Sequence, residues 1–394
     1  MEEADGAPEL QAGQVSSRRD EHGEFRALTS CRGIAALTVA IYHILYEHYS
    51  GLGMALTGPI GKAYLCVDFF FVLSGFVIAY AYRSYFTGRF QIRNYTKFMI
   101  RRIGRIYPLY FSVLTFTIGY TLIFYGNFHS GALPAVQSHS PLAVTIANYL
   151  LIFDWGIRIH GFVGASWSIS TEMAAYVAFP LLLGVCFARR RIVWASVLIV
   201  ALCALTAAYA RHRSLDIFEG FASLVRCLAE FVFGVLVFRF YVSGSGWSVR
   251  IGSDAALAAI FLVAAVSLLA LRSDFAVVLC FPALVLCLAH NRGVVSRLLE
   301  TTPFHWLGLI SYSIYLVHAE LQHIAVYLDG KFEEYAWPPT LSLAVATAVT
   351  MVLILVISHA TYSWIEVPGR EIVKRLSARI GRPISPVLAP NTSN

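Results

Sequence analysis

Residues 31–43 read CRGIAALTVAIYH, from Cys31 to His43. Between the arginine at 32 and the histidine at 43 everything but Thr38 and Tyr42 is apolar or small. The apolar character continues on both sides to about 28–48, long enough to cross a bilayer. A helix satisfies its own backbone in lipid. An ionisable side chain there is costly and is kept where it faces protein or a wet cavity. Eleven positions at about 100° each make three turns plus about 20°, so Arg32 and His43 share one helix face, about 16 Å apart along the axis.

The rest of the chain has the same character. Of 394 residues, 58% are hydrophobic and 13% charged, against roughly 25% charged in soluble domains, and the mean hydropathy is +0.65. The expected fold class is all-α: a polytopic membrane helix bundle of about ten transmembrane helices. The spans read at about 28–48, 64–82, 106–126, 168–187, 192–210, 221–240, 254–271, 275–290, 307–327 and 341–363. A shorter apolar stretch, 142–153, reads as an interfacial or re-entrant helix. The seven cysteines, at 31, 66, 186, 203, 227, 280 and 287, all lie in apolar stretches without CxxC spacing. They predict neither a disulfide framework nor a metal site. Positions 1–25 are polar, which predicts no cleavable signal peptide.

The net charge of +7 is a topology signal. With the N-terminus inside, the cytoplasmic face collects Arg18, Arg19, Arg26, the run from Arg83 to Arg105, Arg189–Arg191 and the C-terminal basic residues through Arg382. The outer loops hold Lys62, Arg158, Arg211, Arg213, Arg272 and Lys331. The bias places both termini in the cytoplasm and removes the charge-based case for nucleic acid. No internal repeat is apparent.

Several other spans carry ionisable residues: Asp68, Glu172, Arg226 with Glu230, and His318 with Glu320. Counted from the span ends they fall at similar depth, which predicts one buried polar site in the outer half of the bundle. Arg226 and Glu230, at i,i+4, read first as a structural ion pair. Asp68 and Glu320 also suit interfacial positions. These residues alone suit a transporter or flippase of a lipid-linked sugar or small metabolite as well as an enzyme, although such a transporter is expected to show duplicated halves.

The order of motifs goes further. RALTSCRGIAALTVAIYH (26–43) resembles the opening of transmembrane acyltransferase family 3, integral-membrane enzymes that O-acylate bacterial surface glycans and some small molecules. Arg32 and His43 match its Arg-x10-His hallmark. VDFFFVLSGFVIAY (67–80) resembles its second-span signature, and RRIGRIYPLY (101–110) its Arg-x-x-Arg motif, here Arg102 and Arg105, followed by Pro108. WSISTEMAAYVAFP (167–180) is similar to its Trp-Ser-x-x-x-Glu motif through Trp167, Ser168 and Glu172. LGLISYSIYLVHAEL (307–321) and TYSWIEVPGR (361–370) resemble its closing elements. Met173, Ala174 and Ala175 depart from the family, which often has a second Glu and bulkier residues there. Its SGNH-type domain, carried by some relatives, is not expected here.

The resemblance implies a transmembrane acyltransferase domain over 26–370, between a polar tail at 1–25 and a basic tail at 371–394. It implies O-acyl transfer, foremost O-acetyl transfer, from a cytoplasmic acyl-CoA such as acetyl-CoA to a hydroxyl of a glycan. The acceptor is a cell-surface polysaccharide or its lipid-linked precursor, with peptidoglycan and smaller glycosides open. The setting is the bacterial cytoplasmic (inner) membrane, with no metal. His43 is the expected base, since imidazole titrates near neutrality. Glu172, then Asp68, are the carboxylates expected to orient it. Arg32, Arg102 and Arg105 are expected to bind the donor, and Tyr315, His318 and Trp167 to line the substrate channel. The Arg-x10-His opening disfavours the unrelated membrane-bound O-acyltransferase fold.

Overall fold

The structure, a computed structural model, describes residues 25–54, 56–125, 140–157, 159, 161–244 and 250–379. The polar tail at 1–24, Arg158 and everything beyond Arg379, Arg382 included, lie outside the described residues. Among the described residues the chain is helical, with no strand. In order the helices are α1 (Arg26–Gly51), α2 (Cys66–Tyr82), α3 (Ile92–Tyr125), α4 (Pro141–Tyr149), α5 (Trp167–Cys186), α6 (Arg191–His212) and α7 (Gly220–Val242). There follow α8 (Asp254–Leu269), α9 (Asp274–His290), α10 (Val294–Leu299), α11 (Thr302–Leu309), α12 (Ser311–Glu334) and α13 (Pro339–Thr361). A π-helical turn at Tyr362–Glu366 then leads into α14 (Val367–Arg379).

Each of the ten spans read from the sequence falls on helix. Among the described residues seven helices or helical runs are long and apolar enough to cross a membrane, so the protein is an integral membrane protein. Helices α8 and α9 are apolar but only 16 and 17 residues long. The ninth span breaks at Ile310 into α11 and α12. The third extends well beyond the reading: α3 has 34 residues, about 51 Å at 1.5 Å each, against roughly 30 Å of hydrocarbon. Its first turns carry Arg93, Lys97, Arg101, Arg102 and Arg105. The short stretch near 142–153 is α4, nine residues capped by Ser140 Oγ, too short to span.

Burial sorts the helices into centre and rim. On α7 fifteen residues are buried, all round the helix, and α2 is similarly enclosed. These two pack closely because Gly75 meets Gly234: a Cβ on Gly234 would lie 2.7 Å from the Phe76 nitrogen. Small residues of this kind let membrane helices approach at backbone distance. On α6 only Ala201, Leu205 and Ala208 are buried, so that helix faces lipid on most sides. On α13 the buried residues are Ser342, Ala346, Thr350, Ile354 and Ser358. That strict four-residue spacing makes one stripe, and α13 packs on α12.

Candidate active site

The seam between α1 and α12 carries much of the chemistry. At its basic end Gly33 meets Gly308 of α11 so closely that a Cβ on Gly33 would lie 2.6 Å from the Gly308 nitrogen. This contact brings Arg32 within reach of the next helix. Its Nε donates to Ser311 Oγ at 2.8 Å and its Nη2 to the Gly308 carbonyl at 2.9 Å. Eleven residues further along α1, His43 meets His318, with 3.2 Å between His43 Nδ1 and His318 Nε2. One turn beyond, Glu47 and His323 pair at 3.2 Å and are both open to solvent. His48 and the buried Asp329 follow at 2.9 Å. His43 therefore sits about one turn below an open polar mouth.

The hydrogen bonds assign the histidine tautomers. His318 Nδ1 lies 3.1 Å from the Ile314 carbonyl, which only accepts, so Nδ1 carries the hydrogen. The Nε2 of a neutral His318 is then an acceptor. His43 Nδ1 faces that acceptor and the Val39 carbonyl at 3.0 Å, so it carries the hydrogen of its ring. The lone pair of His43 is left on Nε2. His318 thus positions the ring and sets which nitrogen is basic. Replacing His318 by Phe removes the acceptor, and kcat is expected to fall roughly 10-fold to 100-fold with donor KM little changed. A parallel rise in KM, or an unchanged kcat, would remove this positioning role.

Sequence reasoning gave the orienting task to Glu172 and Asp68. The structure directs both elsewhere. Asp68 takes a two-pronged ion pair from Arg226, with Nε to Oδ1 at 2.8 Å and Nη2 to Oδ2. Arg226 Nη1 donates to the Ile217 carbonyl at 2.9 Å. The i,i+4 contact to Glu230 is the long one, 3.9 Å. The fork of a guanidinium matches a carboxylate across the α2–α7 contact better than one on its own helix. Arg226, Asp68 and Glu230 are all buried. The Trp167 ring lies 5.4 Å from the Arg226 guanidinium and edge-on to Phe71. Glu172 accepts from Ser74 Oγ, so Ser74 serves this carboxylate, while its neighbour Gly75 serves the helix crossing. The hydrogen bonds and ion pairs thus divide these residues, Asp68 with Arg226 and Glu172 with Ser74, and join neither carboxylate directly to His43. Tyr315 joins the groups: its hydroxyl bonds Ser168 Oγ at 2.7 Å and its ring lies 5.7 Å from that of His318.

The basic end gathers guanidinium groups from three helices. Arg102 donates to Tyr82 OH at 2.9 Å and lies over the Tyr82 ring at 4.8 Å. Arg105 makes no hydrogen bond or ion pair with any described residue; its neighbours are Arg102, Tyr176, Tyr312 and Tyr362. Arg370 has Arg105 and Arg32 nearby and is ion-paired with Glu366. Glu366 accepts from Ser313 Oγ at 2.9 Å, and Tyr312 OH donates to the Ile106 carbonyl at 2.8 Å. These bonds tie α3, α12 and the π turn together. In the sequence Glu366 and Arg370 stand in the TYSWIEVPGR stretch with no role of their own. The available signal was their i,i+4 spacing after a long apolar span. Among the described residues no three His, Cys, Asp or Glu side chains form a group able to hold a metal ion.

A family model described as an acyltransferase domain matches residues 25–359. Acyltransferase MdmB of Streptomyces mycarofaciens is 34% identical over 161 residues, 39% of this chain and 38% of that protein. YrhL of Bacillus subtilis, which bears the name of a peptidoglycan O-acetyltransferase, is 23% identical over 378 residues, 90% of this chain and 56% of that protein. Protein 2 in the picA locus of Rhizobium radiobacter is 35% identical over 102 residues, 26% of this chain and 48% of that protein. The matches thus cover between 38% and 56% of these relatives' own lengths. No solved structure matches.

Proposed function

The chain belongs to the acyltransferase-domain family matched over residues 25–359, and on that premise we propose that it is a membrane O-acyltransferase. The donor is an acyl-CoA, acetyl-CoA foremost, drawn from the cytoplasm. The acceptor is a glycan hydroxyl, on a cell-surface polysaccharide or its lipid-linked precursor, and the enzyme works in the bacterial inner membrane. The observation that carries the reading is the pairing of a basic lone pair with a cationic pocket along one helix. His43 Nε2 lies on the face of α1 that also holds Arg32, about 16 Å away. Arg102, Arg105 and Arg370 share the basic end with Arg32. The name borne by YrhL supports a glycan hydroxyl as acceptor, and that of MdmB supports acyl transfer.

The chemistry follows from this arrangement. The arginines hold the phosphates of CoA by charge-assisted hydrogen bonds. The pantetheine arm runs along the α1–α12 seam and presents its thioester beside His43. The acceptor enters through the open end at Glu47 and His323. His43 Nε2 takes the hydroxyl proton as the oxygen attacks the thioester carbon. The C–S bond then breaks, and the imidazolium returns the proton to the CoA thiolate. Protons balance without a further acid or base.

The test is acyl transfer from radiolabelled acetyl-CoA in membranes, read as KM and kcat. Arg105→Gln is the informative variant, because no described protein group depends on the guanidinium for a hydrogen bond or ion pair. Donor KM is expected to rise roughly 10-fold to 100-fold, the worth of one charge-assisted bond, with kcat nearly unchanged. An unchanged donor KM would count against the pocket, and absence of any CoA-dependent transfer by the wild type against the reading as a whole.

A further inference from the structure

A second cationic site lies at the basic end of the bundle, apart from the first. Arg26, Arg292, Arg297 and His290 line a cavity of about 180 Å³ between the start of α1, the end of α9 and α10. Arg26 is six positions from Arg32, which puts it about 120° round α1 on another face. None of Arg32, Arg102, Arg105 and Arg370 lines this cavity. The volume equals about six waters at roughly 30 Å³ each, room for a phosphate and part of its ester. Among the described residues the one carboxylate in the lining is Glu300, which accepts from Ser296 Oγ at 3.1 Å. Asp254 stands nearby and takes the Val294 nitrogen at 2.7 Å and Asn291 Nδ2 at 3.1 Å. Those bonds fix the α9–α10 corner.

The surroundings separate a lipid from a soluble phosphate. On α10 the apolar Val294 and Leu298, one turn apart, are 64% and 56% exposed on either side of the arginine at 297. Phe25 lines the cavity itself. A charged hollow with exposed apolar groups at its rim, where spans end, suits a headgroup with its acyl chains alongside. Basic pockets between transmembrane helices on the cytoplasmic side bind anionic headgroups in this way.

We propose that this cavity binds the phosphodiester headgroup of an anionic phospholipid of the inner leaflet. Arg26, Arg292 and Arg297 hold the phosphate oxygens, and Val294 and Leu298 meet the acyl chains. The site is independent of the catalytic reading and stands or falls without it.

The full-length protein in detergent is titrated with short-chain phosphatidylglycerol, following lipid adducts by native mass spectrometry and the melting midpoint in parallel. Phosphatidylcholine of equal chain length, inorganic phosphate and CoA are the comparison ligands. Phosphatidylglycerol is expected to bind and raise the midpoint, while phosphatidylcholine and inorganic phosphate do not. The double variant Arg292→Gln with Arg297→Gln alters exposed side chains. It is expected to need roughly twenty-five-fold more phosphatidylglycerol, about fivefold for each guanidinium removed. Equal binding by the double variant, or equal effects of the two lipids, would overturn the proposal. If inorganic phosphate or CoA gives the shift that the double variant loses, the site is for a soluble phosphate and the lipid assignment is wrong.

Discussion

His43→Ala is expected to lower acyl transfer by roughly 10²-fold to 10⁴-fold, the usual contribution of one general base. Yield and melting midpoint should change little, because the ring is only partly buried and its Nδ1 hydrogen bonds are few. His43→Asn refines the test. The amide nitrogen of asparagine can replace Nδ1 in donating toward the Val39 carbonyl and His318 while offering no base at the position of Nε2. The two variants should therefore lose activity alike although one keeps the hydrogen bonds. Donor KM should remain near the wild-type value in both, since the arginines proposed to hold CoA lie about 16 Å away. Turnover like the wild type in either variant would remove His43 from the role of base.

The second large effect is on folding. Asp68→Ala leaves the fully buried Arg226 guanidinium with the long 3.9 Å contact to Glu230 in place of its two-pronged ion pair. Breaking such a pair costs about 3–5 kcal/mol. The expected result is a sharp loss of folded protein in detergent, seen in the melting curve before any kinetic measurement. Replacing both partners, Asp68→Leu with Arg226→Met, removes these two charges together and should recover part of that stability, less the bond to the Ile217 carbonyl and with the buried Glu230 losing its 3.9 Å contact to the arginine. The double variant also decides whether Asp68 belongs to catalysis. Recovered folding with transfer near the wild-type rate makes the pair structural. Recovered folding with no transfer would place the pair in the catalytic machinery, the role the sequence suggests for Asp68.

What was legible in the chain follows from the range over which the physics acts. Spans are set by local hydropathy, so all ten fell on helix. The shared face of Arg32 and His43 is a property of one helix, and α1 runs unbroken through both. Choice of partner is a property of the whole bundle. Asp68 and Arg226 are 158 positions apart, and His43 and His318 are 275 apart. Similar depth could place these residues in one layer but could not say which neighbours each would reach. The start of α3 escaped notice for another reason. Its basic turns give no apolar run, yet Arg and Lys are good helix formers, and α14 packs against this helix. The π turn at Tyr362–Glu366, which carries Glu366 toward Ser313, has no periodic signature of its own.

The unbroken course of α1 makes the helix a ruler. The distance from Arg32, proposed to hold a donor phosphate, to the basic nitrogen of His43 is set by eleven helical steps and cannot adjust to the ligand. A donor is then measured by its arm: the handle must rest at one mark while the thioester reaches the other. Small acyl phosphates and bare thioesters can touch either mark but not both. On this view the enzyme selects CoA by length as much as by charge, and the size of the acyl group is limited only by what lies beyond His43.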